Sequence, residues 1–317
     1  MVVIKKDDFT LIPMDYNSFL NSITQYRRDI KYTKEYSISE RVFERLVYEI
    51  SNSDDDDVVV VDMANIISYP SRAFCKLSDM KKPIVFYEAS YEKLRKMLEE
   101  DLADVKYFEE LGLYVLNLDN ISIIEKIPCL MLAYRREHEV DIVKTLIDAG
   151  ECPLESSGLV SNYFVNTKKL FYNVDNYNYV VYSLAAMICE KIKKYSIDAF
   201  VSSSKNGAVI ASILAGMLDV KEVHLIGIGP KYAMELGDSI DCIKKKKRYA
   251  YIFDFMCTGT ELKIVSSLIN AKEAFMPYAA GIARYSGTNV NSLFAKIDVL
   301  VDTDSLKIDY KILGNAR

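Results

Sequence analysis

The sequence predicts an α/β protein with two domains, each built around a sheet that helices cover. The 317 residues are about twice the length of an average domain, which favours two domains. Several predicted strands are apolar along their whole length, such as VVVV at 58–61 and YAYIF at 249–253. Strands of this kind are buried on both faces, and amphipathic segments separate them along the chain. This alternation is typical of sheets with many parallel strands.

Composition and charge limit the classes of function. Hydrophobic residues make up 50% of the chain and charged residues 27%, and the formal net charge is −5. A chain without an overall positive field does not attract nucleic acid or anionic lipid, so we expect neither as a partner. The N-terminus lacks the order of a signal peptide, and the longest apolar run, at 208–218, is too short for a membrane helix. These features predict a cytoplasmic protein.

The first domain is predicted to span residues 1–148 and to alternate strands with helices. A helical segment at 39–53 precedes strands at 58–62, 83–87 and 113–117, with helices at 72–79 and 91–100 between them. This order is similar to the small STAS domain, named after sulfate transporters and anti-sigma-factor antagonists. No residues of this half form a recognisable chemical site, so we expect a sensing, scaffolding or oligomerising role.

Several conspicuous side chains are interpreted as structural. The acidic run at 54–57 lacks the alternating ligands and the glycine of a calcium loop, which indicates a charged loop. His138 lies in a helical pattern without the second histidine of a zinc-protease helix, and His224 lies in a predicted strand. The basic run at 244–248 is interpreted as a solvated turn, with phosphate contact as the alternative. Six scattered cysteines predict neither disulfides nor a protein metal site.

The second domain is predicted to span residues 149–317, after a change of composition at 150–154 and a loop at 156–162. Strands are expected at 199–202, 222–228, 248–253 and 274–283, and helices at 177–195, 208–218 and 260–269. In a parallel sheet covered by helices, ligands bind beyond the carboxyl ends of the strands. The exits of these strands are therefore the places where a functional site is expected.

The first such exit is the segment SSSKNG at 202–207. Small residues let backbone N–H groups approach an anion, a glycine supplies conformational freedom, and the following helix start adds positive potential. These properties describe a cradle for phosphate or pyrophosphate, and the alternative is an ordinary turn whose serine caps the helix. The candidate binding residues are Ser203, Ser204, Lys205, Asn206 and Gly207.

The second exit follows the strand at 248–253, where Asp254 is expected to end the strand. A turn of Cys257, Thr258, Gly259 and Thr260 then opens the next helix. Its backbone amides and hydroxyls suit one phosphate, while a carboxylate can accept hydrogen bonds from a diol such as ribose. The alternative is that Asp254 or Thr258 is a plain helix cap.

Three segments give residues 151–285 a resemblance to type I phosphoribosyltransferases, and to the orotate enzymes in particular. The segment at 157–166 is similar to the substrate hood of those enzymes, and SKNG at 204–207 is similar to their pyrophosphate loop. The segment at 253–261 is similar to the signature that binds phosphoribosyl pyrophosphate (PRPP). The resemblance implies a parallel sheet of the phosphoribosyltransferase kind in the second domain, and a homodimer.

The signature departs from the family pattern at several positions. Phe253 stands where the family has its first acid, and only the second acid is kept, as Asp254. Thr260 and Glu261 replace residues that are usually glycine and a hydroxyl residue. A carboxylate at position 261 repels a 5′-phosphate unless it points away. In the orotate enzymes, a lysine-rich mobile loop closes over the pyrophosphate. The only lysines of this chain that could correspond to it are Lys231 and those at 244–247.

The resemblance implies a reaction in which a base attacks the anomeric carbon of PRPP and pyrophosphate leaves. The protein then positions the reactants and neutralises the leaving group. Asp254 would hold the ribose diol, and Lys205 or Lys231 would neutralise the leaving charge. Residues 258–260 would bind the 5′-phosphate and 204–207 the pyrophosphate. Mg²⁺ would arrive bound to PRPP, with no set of protein ligands.

Three functions remain open from the sequence. The first is a working phosphoribosyltransferase that acts on a pyrimidine-like base. The second is a catalytically inactive protein that senses PRPP or a nucleotide and serves in regulation or interaction. The third is a purely structural two-domain protein. Loss of one acid and gain of Glu261 weaken the case for turnover, since charge-assisted hydrogen bonds contribute about 1.5–3 kcal/mol each.

Overall fold

The computed structural model describes residues 1–25, 31–154, 157–228, 240–288 and 296–315. The chain divides into two compact units, Met1–His138 and Glu139–Arg317, called unit 1 and unit 2 below. The division predicted after residue 148 falls inside a strand of unit 2, Ile147–Leu154. Lys231 lies outside the described residues. No helix of the described ranges is long and apolar enough to cross a membrane.

Unit 1 contains a mixed sheet with helices between its strands. The strands of the unit are β1 (Ile4–Lys6), β2 (Phe9–Pro13), β3 (Tyr36–Ser37), β4 (Val58–Asp62), β5 (Ile66–Ser68), β6 (Ile84–Tyr87), β7 (Lys106–Phe108) and β8 (Leu113–Leu116). The helices are α1 (Met14–Gln25), α2 (Glu40–Ser51), α3 (Cys75–Ser78), α4 (Glu92–Asp101), α5 (Ile121–Ile124) and α6 (Ile127–Thr145), which contains the division between the units.

The main sheet of unit 1 has the order β1-β2-β4-β6-β8-β7. Strands β2, β4 and β6 run parallel, whereas β1, β7 and β8 pair antiparallel with their neighbours. Every residue of β4 is buried, as expected for a central strand that is covered on both faces. Helix α2 begins after Ser39, whose side chain accepts from the backbone N–H of Val42. The STAS resemblance of this unit stays a prediction.

One expectation for unit 1 is wrong. The helix predicted at 72–79 is only one turn, α3, because Arg72 takes a left-handed backbone conformation at φ 58°. The sequence indicates no chemical site in this half, and the structure adds a charged cluster of Asp15, Asp62 and Arg135. This cluster joins α1, β4 and α6, and its members are too far apart in the chain for a sequence pattern to connect them.

Unit 2 contains a parallel sheet and a smaller antiparallel sheet. Its strands are β9 (Ile147–Leu154), β10 (Leu159–Val165), β11 (Ala199–Ser202), β12 (Glu222–Leu225), β13 (Arg248–Met256), β14 (Phe275–Arg284), β15 (Lys296–Asp302) and β16 (Ile312–Asn315). Its described α-helices are α7 (Val174–Tyr195), α8 (Lys205–Leu218) and α9 (Thr260–Ala271). A 3-10 segment at Thr167–Tyr172 precedes α7.

The parallel sheet of unit 2 has the order β12-β11-β13-β14-β15, and every pairing in it is parallel. The predicted α/β class is therefore confirmed. Its core is formed by wholly apolar stretches of β11 and β13 together with the inner faces of α8 and α9. Tyr249, Tyr251 and Phe253 of β13 are all buried, which explains why the strand reads as an aromatic run.

The antiparallel sheet of unit 2 has the order β16-β10-β9. The loop predicted at 156–162 is a turn only at Ser157 and Gly158 among its described residues, because β10 begins at Leu159. Helix α6 ends at Thr145, and the next residues form β9, which pairs with β10 from Ile147↔Val165 to Leu154↔Leu159. Glycine and proline in β9 are unfavourable in strands, so the sequence pattern does not predict this strand. Its stability comes from pairing with β10 rather than from the strand propensity of its residues.

Candidate functional site

The two predicted turns leave the same edge of the parallel sheet. Strand β11 pairs directly with β13, with Val201 opposite Tyr251. Since the strands are parallel, their carboxyl ends and the starts of α8 and α9 meet at one edge. The peptide N–H groups of two helix starts therefore face a common region, as the sequence predicted for neighbouring parallel strands.

Ser204 connects the first turn to the second. It is the residue before α8, and its Oγ accepts from the backbone N–H of Gly207 at 2.9 Å. The same hydroxyl donates to Asp254 Oδ1 at 2.9 Å. The alternative of a serine-capped turn is thus realised, because Lys205, Asn206 and Gly207 form the first turn of α8 rather than a loop.

Gly207 is required for space rather than for conformational freedom. Its φ is not positive, so the expectation of a special backbone conformation is wrong. A Cβ at this position would meet Ser202 Oγ and Ser204 Oγ within 3.0 Å and the carbonyl oxygen of Ile252 at 3.1 Å. The glycine therefore lets the first turn of α8 lie directly against β11 and β13.

Asp254 lies inside β13, not at its end as the sequence predicted, because pairing with β14 continues through Met256. Its Oδ2 accepts from Thr167 Oγ1 at 2.6 Å and its Oδ1 from Ser204. Asn206 Nδ2 donates to the same Thr167 hydroxyl at 3.1 Å. The carboxylate is half-buried and does not cap a helix. A carboxylate has about four acceptor positions, so hydroxyls of a ligand can still bind to it.

Glu261 points toward the first turn instead of away from it. It lies in the first turn of α9, and its Oε2 accepts a hydrogen bond from Ser203 Oγ. The buried hydroxyl of Tyr251 is 2.5 Å from the same Ser203 oxygen. Burial, and next the Glu261 carboxylate, raise the pKa of Tyr251, so this phenol stays protonated and donates to Ser203. A carboxylate therefore bridges the two predicted anion cradles.

Phe253 stands where the resembled family has its first acid, and its side chain is part of the apolar core. It is 3% exposed, and its ring lies over Gly281 on the neighbouring strand. A Cβ at Gly281 would approach two ring carbons of Phe253 well inside 3.0 Å. Tyr251 stacks on the same ring with centroids 5.8 Å apart. The pair of Phe253 and Gly281 shows that an acid at position 253 would leave a void in this sheet.

The second turn has the backbone conformation of an anion site, but its side chains contact each other and Tyr310. Gly259 adopts φ 73°, a left-handed conformation that favours glycine, immediately before α9. The hydroxyls of Thr258 and Thr260 lie 2.9 Å apart. Cys257 Sγ contacts the Tyr310 hydroxyl at 3.2 Å, and burial raises the pKa of this thiol. The cysteine is thus a protonated packing residue rather than a nucleophile.

The candidate cations do not converge on this site in the described ranges. Lys205 is exposed at the start of α8 and forms no ion pair with a described carboxylate. Lys244 and Lys247 both bind Glu222 Oε1, at 3.0 and 2.6 Å, and Lys245 pairs with Glu273. Three of the five basic residues at 244–248 are therefore paired with the protein's own acids, which supports the interpretation of this run as a structural turn.

The residues of the site do not fit a magnesium diphosphate. Mg²⁺ is expected only in complex with PRPP, and the region predicted for the diphosphate is occupied by the Glu261 carboxylate. Asp254 is the single acid at the ribose position, with each oxygen already accepting a hydroxyl. Among the residues that the structure describes, no group of three or more His, Cys, Asp or Glu side chains is arranged to hold a metal.

Thr167, Tyr251 and Tyr310 belong to the site but were not identified from the sequence. Thr167 lies 87 positions before its partner Asp254, at the start of the 3-10 segment. The ring of Tyr310 lies tilted against that of Tyr285, with centroids 4.7 Å apart. Tyr251 carried one usable signal, because a hydroxyl in an otherwise apolar strand requires a polar partner. Nothing local predicts the other two contacts.

Comparison with known proteins gives distant structural likenesses. No protein-family model matches the sequence, and none of the curated proteins matches it. The orotate phosphoribosyltransferase of Aeropyrum pernix is 13% identical over 53% of this chain and 96% of its own, with a TM-score of 0.41. The adenine phosphoribosyltransferase of Saccharomyces cerevisiae is 14% identical over 52% of this chain and 99% of its own, with a TM-score of 0.40.

A third similar structure is the UMP synthase of Leishmania donovani. It is 12% identical over 86% of this chain at a TM-score of 0.41, and this chain spans 56% of its length. The other two structures are phosphoribosyltransferases by name.

Proposed function

We propose that unit 2 is a phosphoribosyltransferase-like module that binds a ribose-containing ligand without transferring phosphoribose, so that the protein acts in regulation. The observation that carries this proposal is the hydrogen bond from Ser203 to Glu261. It places a fixed negative charge between the two turns that would hold the phosphates of PRPP. The Glu261 carboxylate thus occupies the region where the phosphates of PRPP would bind.

The charge of Glu261 opposes a phosphorylated ligand. Two like charges 4 Å apart near a protein surface repel by about 4 kcal/mol at an effective dielectric constant near 20. The positive ends of α8 and α9 favour an anion by only about 0.3–1 kcal/mol each. The repulsion exceeds the attraction, so we expect weak binding of a diphosphate or a 5′-phosphate.

Asp254 remains suited to the diol of a sugar. Thr167 and Ser204 use two of its acceptor positions, and the side chain is half-buried rather than enclosed. A ligand that brings hydroxyls but little negative charge meets no repulsion from this pair of acids. A nucleoside fits these requirements better than PRPP does.

Isothermal titration calorimetry with uridine, UMP and Mg-PRPP tests the proposal. Wild-type affinity should fall as the negative charge of the ligand rises. Glu261→Gln keeps an acceptor for Ser203 and removes the charge, so its affinity for Mg-PRPP should rise at least about tenfold, which corresponds to about 1.4 kcal/mol. Glu273→Gln is the matched control, because Glu273 follows the far end of the same helix, about 18 Å along its axis.

Release of pyrophosphate separates a binding module from an enzyme. Wild-type protein with Mg-PRPP and a panel of pyrimidine bases should release none above background. Turnover would contradict the proposal and favour the working transferase. Absence of binding for all three ligands, in both wild type and Glu261→Gln, would contradict the ligand class and favour a structural protein. The homodimer implied by the family resemblance stays a prediction that light scattering would test.

A further inference from the structure

The side chain of Asn206 continues a chain of hydrogen bonds that ends at Asp254. Thr167 Oγ1 lies 2.6 Å from Asp254 Oδ2, and Asn206 Nδ2 lies 3.1 Å from the same Thr167 oxygen. On the other side of the carboxylate, Ser204 Oγ lies 2.9 Å from Asp254 Oδ1. The 3-10 segment, the start of α8 and β13 thus meet at one carboxylate.

The direction of each bond in this chain follows from the protons that are available. The hydroxyl of Thr167 has one proton, and a carboxylate can only accept. Thr167 therefore donates to Asp254 and accepts from Asn206, so the amide nitrogen of Asn206, and not its oxygen, faces Thr167. Because Thr167 is only 2% exposed, water has little access to its hydroxyl, and the orientation of the amide is fixed by the protein.

This chain of bonds keeps a donor and acceptor positions available for a ligand. The amide nitrogen of Asn206 has two hydrogens, and Thr167 accepts only one of them. Among the residues that the structure describes, the half-buried side chain of Asn206 forms no other hydrogen bond. Asp254 accepts two hydroxyls and keeps further acceptor positions. A donor and an acceptor therefore lie close together, each within hydrogen-bond distance of the Thr167 oxygen.

A vicinal diol matches this pair of groups, because each of its hydroxyls can both donate and accept. Both hydroxyls can donate to Asp254, and one of them can accept from Asn206 at the same time. A sugar that lacks this hydroxyl loses a hydrogen bond to a charged group and leaves the Asn206 N–H without a partner. Sites that are built to bind a hydroxyl discriminate strongly against ligands that lack it.

We propose that Asn206 is a specificity-determining residue that selects ligands with an intact ribose diol, so that the site binds ribonucleosides and rejects deoxyribonucleosides. This inference rests on the proposed binding of a ribose-containing ligand and adds which sugar is selected. Asn206 was expected to bind pyrophosphate, whereas its contact with Thr167 directs its amide toward the acid of the predicted ribose site. Thr167 is a positioning residue, because it orients the amide of Asn206.

Isothermal titration calorimetry of the full-length protein with uridine, 2′-deoxyuridine and 3′-deoxyuridine tests the proposal. Wild type should bind uridine at least about tenfold more tightly than either deoxy analogue. Asn206→Ala should reduce this preference at least about threefold for the analogue that lacks the accepting hydroxyl. Thr167→Val should reduce it likewise, whereas Thr167→Ser keeps the hydroxyl and should retain the preference. A variant that only loosened the fold would weaken all three ligands alike, so the ratio of affinities decides.

A matched control and a second variant complete the experiment. Asn270→Ala removes an exposed asparagine about 15 Å along α9 from its start, so it should bind all three ligands like wild type. Asn206→Asp has the same size as wild type but cannot donate to a hydroxyl, so it should lose the preference as Asn206→Ala does. The comparison of the three ligands on wild type does not depend on the folding of any variant.

The outcomes separate this inference from the proposed function. If wild type binds uridine and both deoxy analogues equally well, selection of the diol is overturned while the ribose-containing ligand stands. A preference that persists unchanged in Asn206→Ala or Asn206→Asp would overturn the role of Asn206. No binding of uridine by wild type would overturn both proposals.

Discussion

Replacing Asp254 by alanine should destabilise unit 2 as well as weaken ligand binding. The carboxylate accepts from Thr167, which is 2% exposed, and from the half-buried Ser204. Hydrogen bonds to a charged group contribute about 1.5–3 kcal/mol each, and water can replace part of the bond to Ser204. A total loss of about 2–4 kcal/mol corresponds to a fall in melting temperature of about 5–10 °C for a unit of this size.

Thermal unfolding followed by circular dichroism measures this effect. Asp254→Asn retains one amide oxygen as an acceptor, so its melting temperature should fall by roughly half as much. The control is Asp241→Ala, which removes a 77% exposed partner of Lys272 and should change stability by less than about 1 kcal/mol. An unchanged melting temperature for Asp254→Ala, with uridine binding lost, would refute the reasoning and show that the carboxylate serves the ligand alone.

Two further predictions concern packing and pH. Gly207→Ala should destabilise the protein by about 1–3 kcal/mol, because the added methyl group would meet Ser202, Ser204 and Ile252. Gly216 on the same helix has open space around it, so Gly216→Ala should stabilise the protein by about 0.5–1 kcal/mol. Chemical denaturation measures the free energy of unfolding of both variants. Hydrogen bonds from Lys247, and next from Lys244, lower the pKa of Glu222 to about 2. Its contribution to stability is present above the unfolded pKa and lost as the pH falls through about 2, so Glu222→Gln should show a smaller loss of melting temperature between pH 4.5 and 2.

Strands that are buried on both faces could be predicted from the sequence. Each of β4, β11 and β13 contains an uninterrupted apolar run, at 58–61, 199–201 and 249–253, as expected where helices cover both sides of a sheet. The start of α8 was placed too late, since Lys205, Asn206 and Gly207 do not resemble a helical turn. The Ser204 cap is a local contact, whereas the close approach of Gly207 to β13 is a tertiary effect that no local pattern specifies.

The adjacency of the two turns could be predicted, but their chemistry could not. Parallel strands with helices after each one bring their exits to one edge, which places Ser204 near Asp254. The direction of Glu261 depends on the rotamer that reaches Ser203, and no pattern in the chain specifies it. Thr167 comes from a segment beyond the antiparallel sheet, so its contact with Asp254 depends on the whole unit folding.

Glu261 has opposite effects on the fold and on anion binding. A carboxylate in the first turn of α9 interacts favourably with the helix dipole, by about 0.3–1 kcal/mol. The same charge repels a phosphate from the N–H groups that would bind it. Glu261→Gln should therefore lower stability slightly while it raises affinity for PRPP, so that the two measured quantities move in opposite directions. A side chain that positioned a phosphorylated substrate would lose affinity in the same variant, and this sign distinguishes a binding module from a transferase even where turnover is too slow to detect.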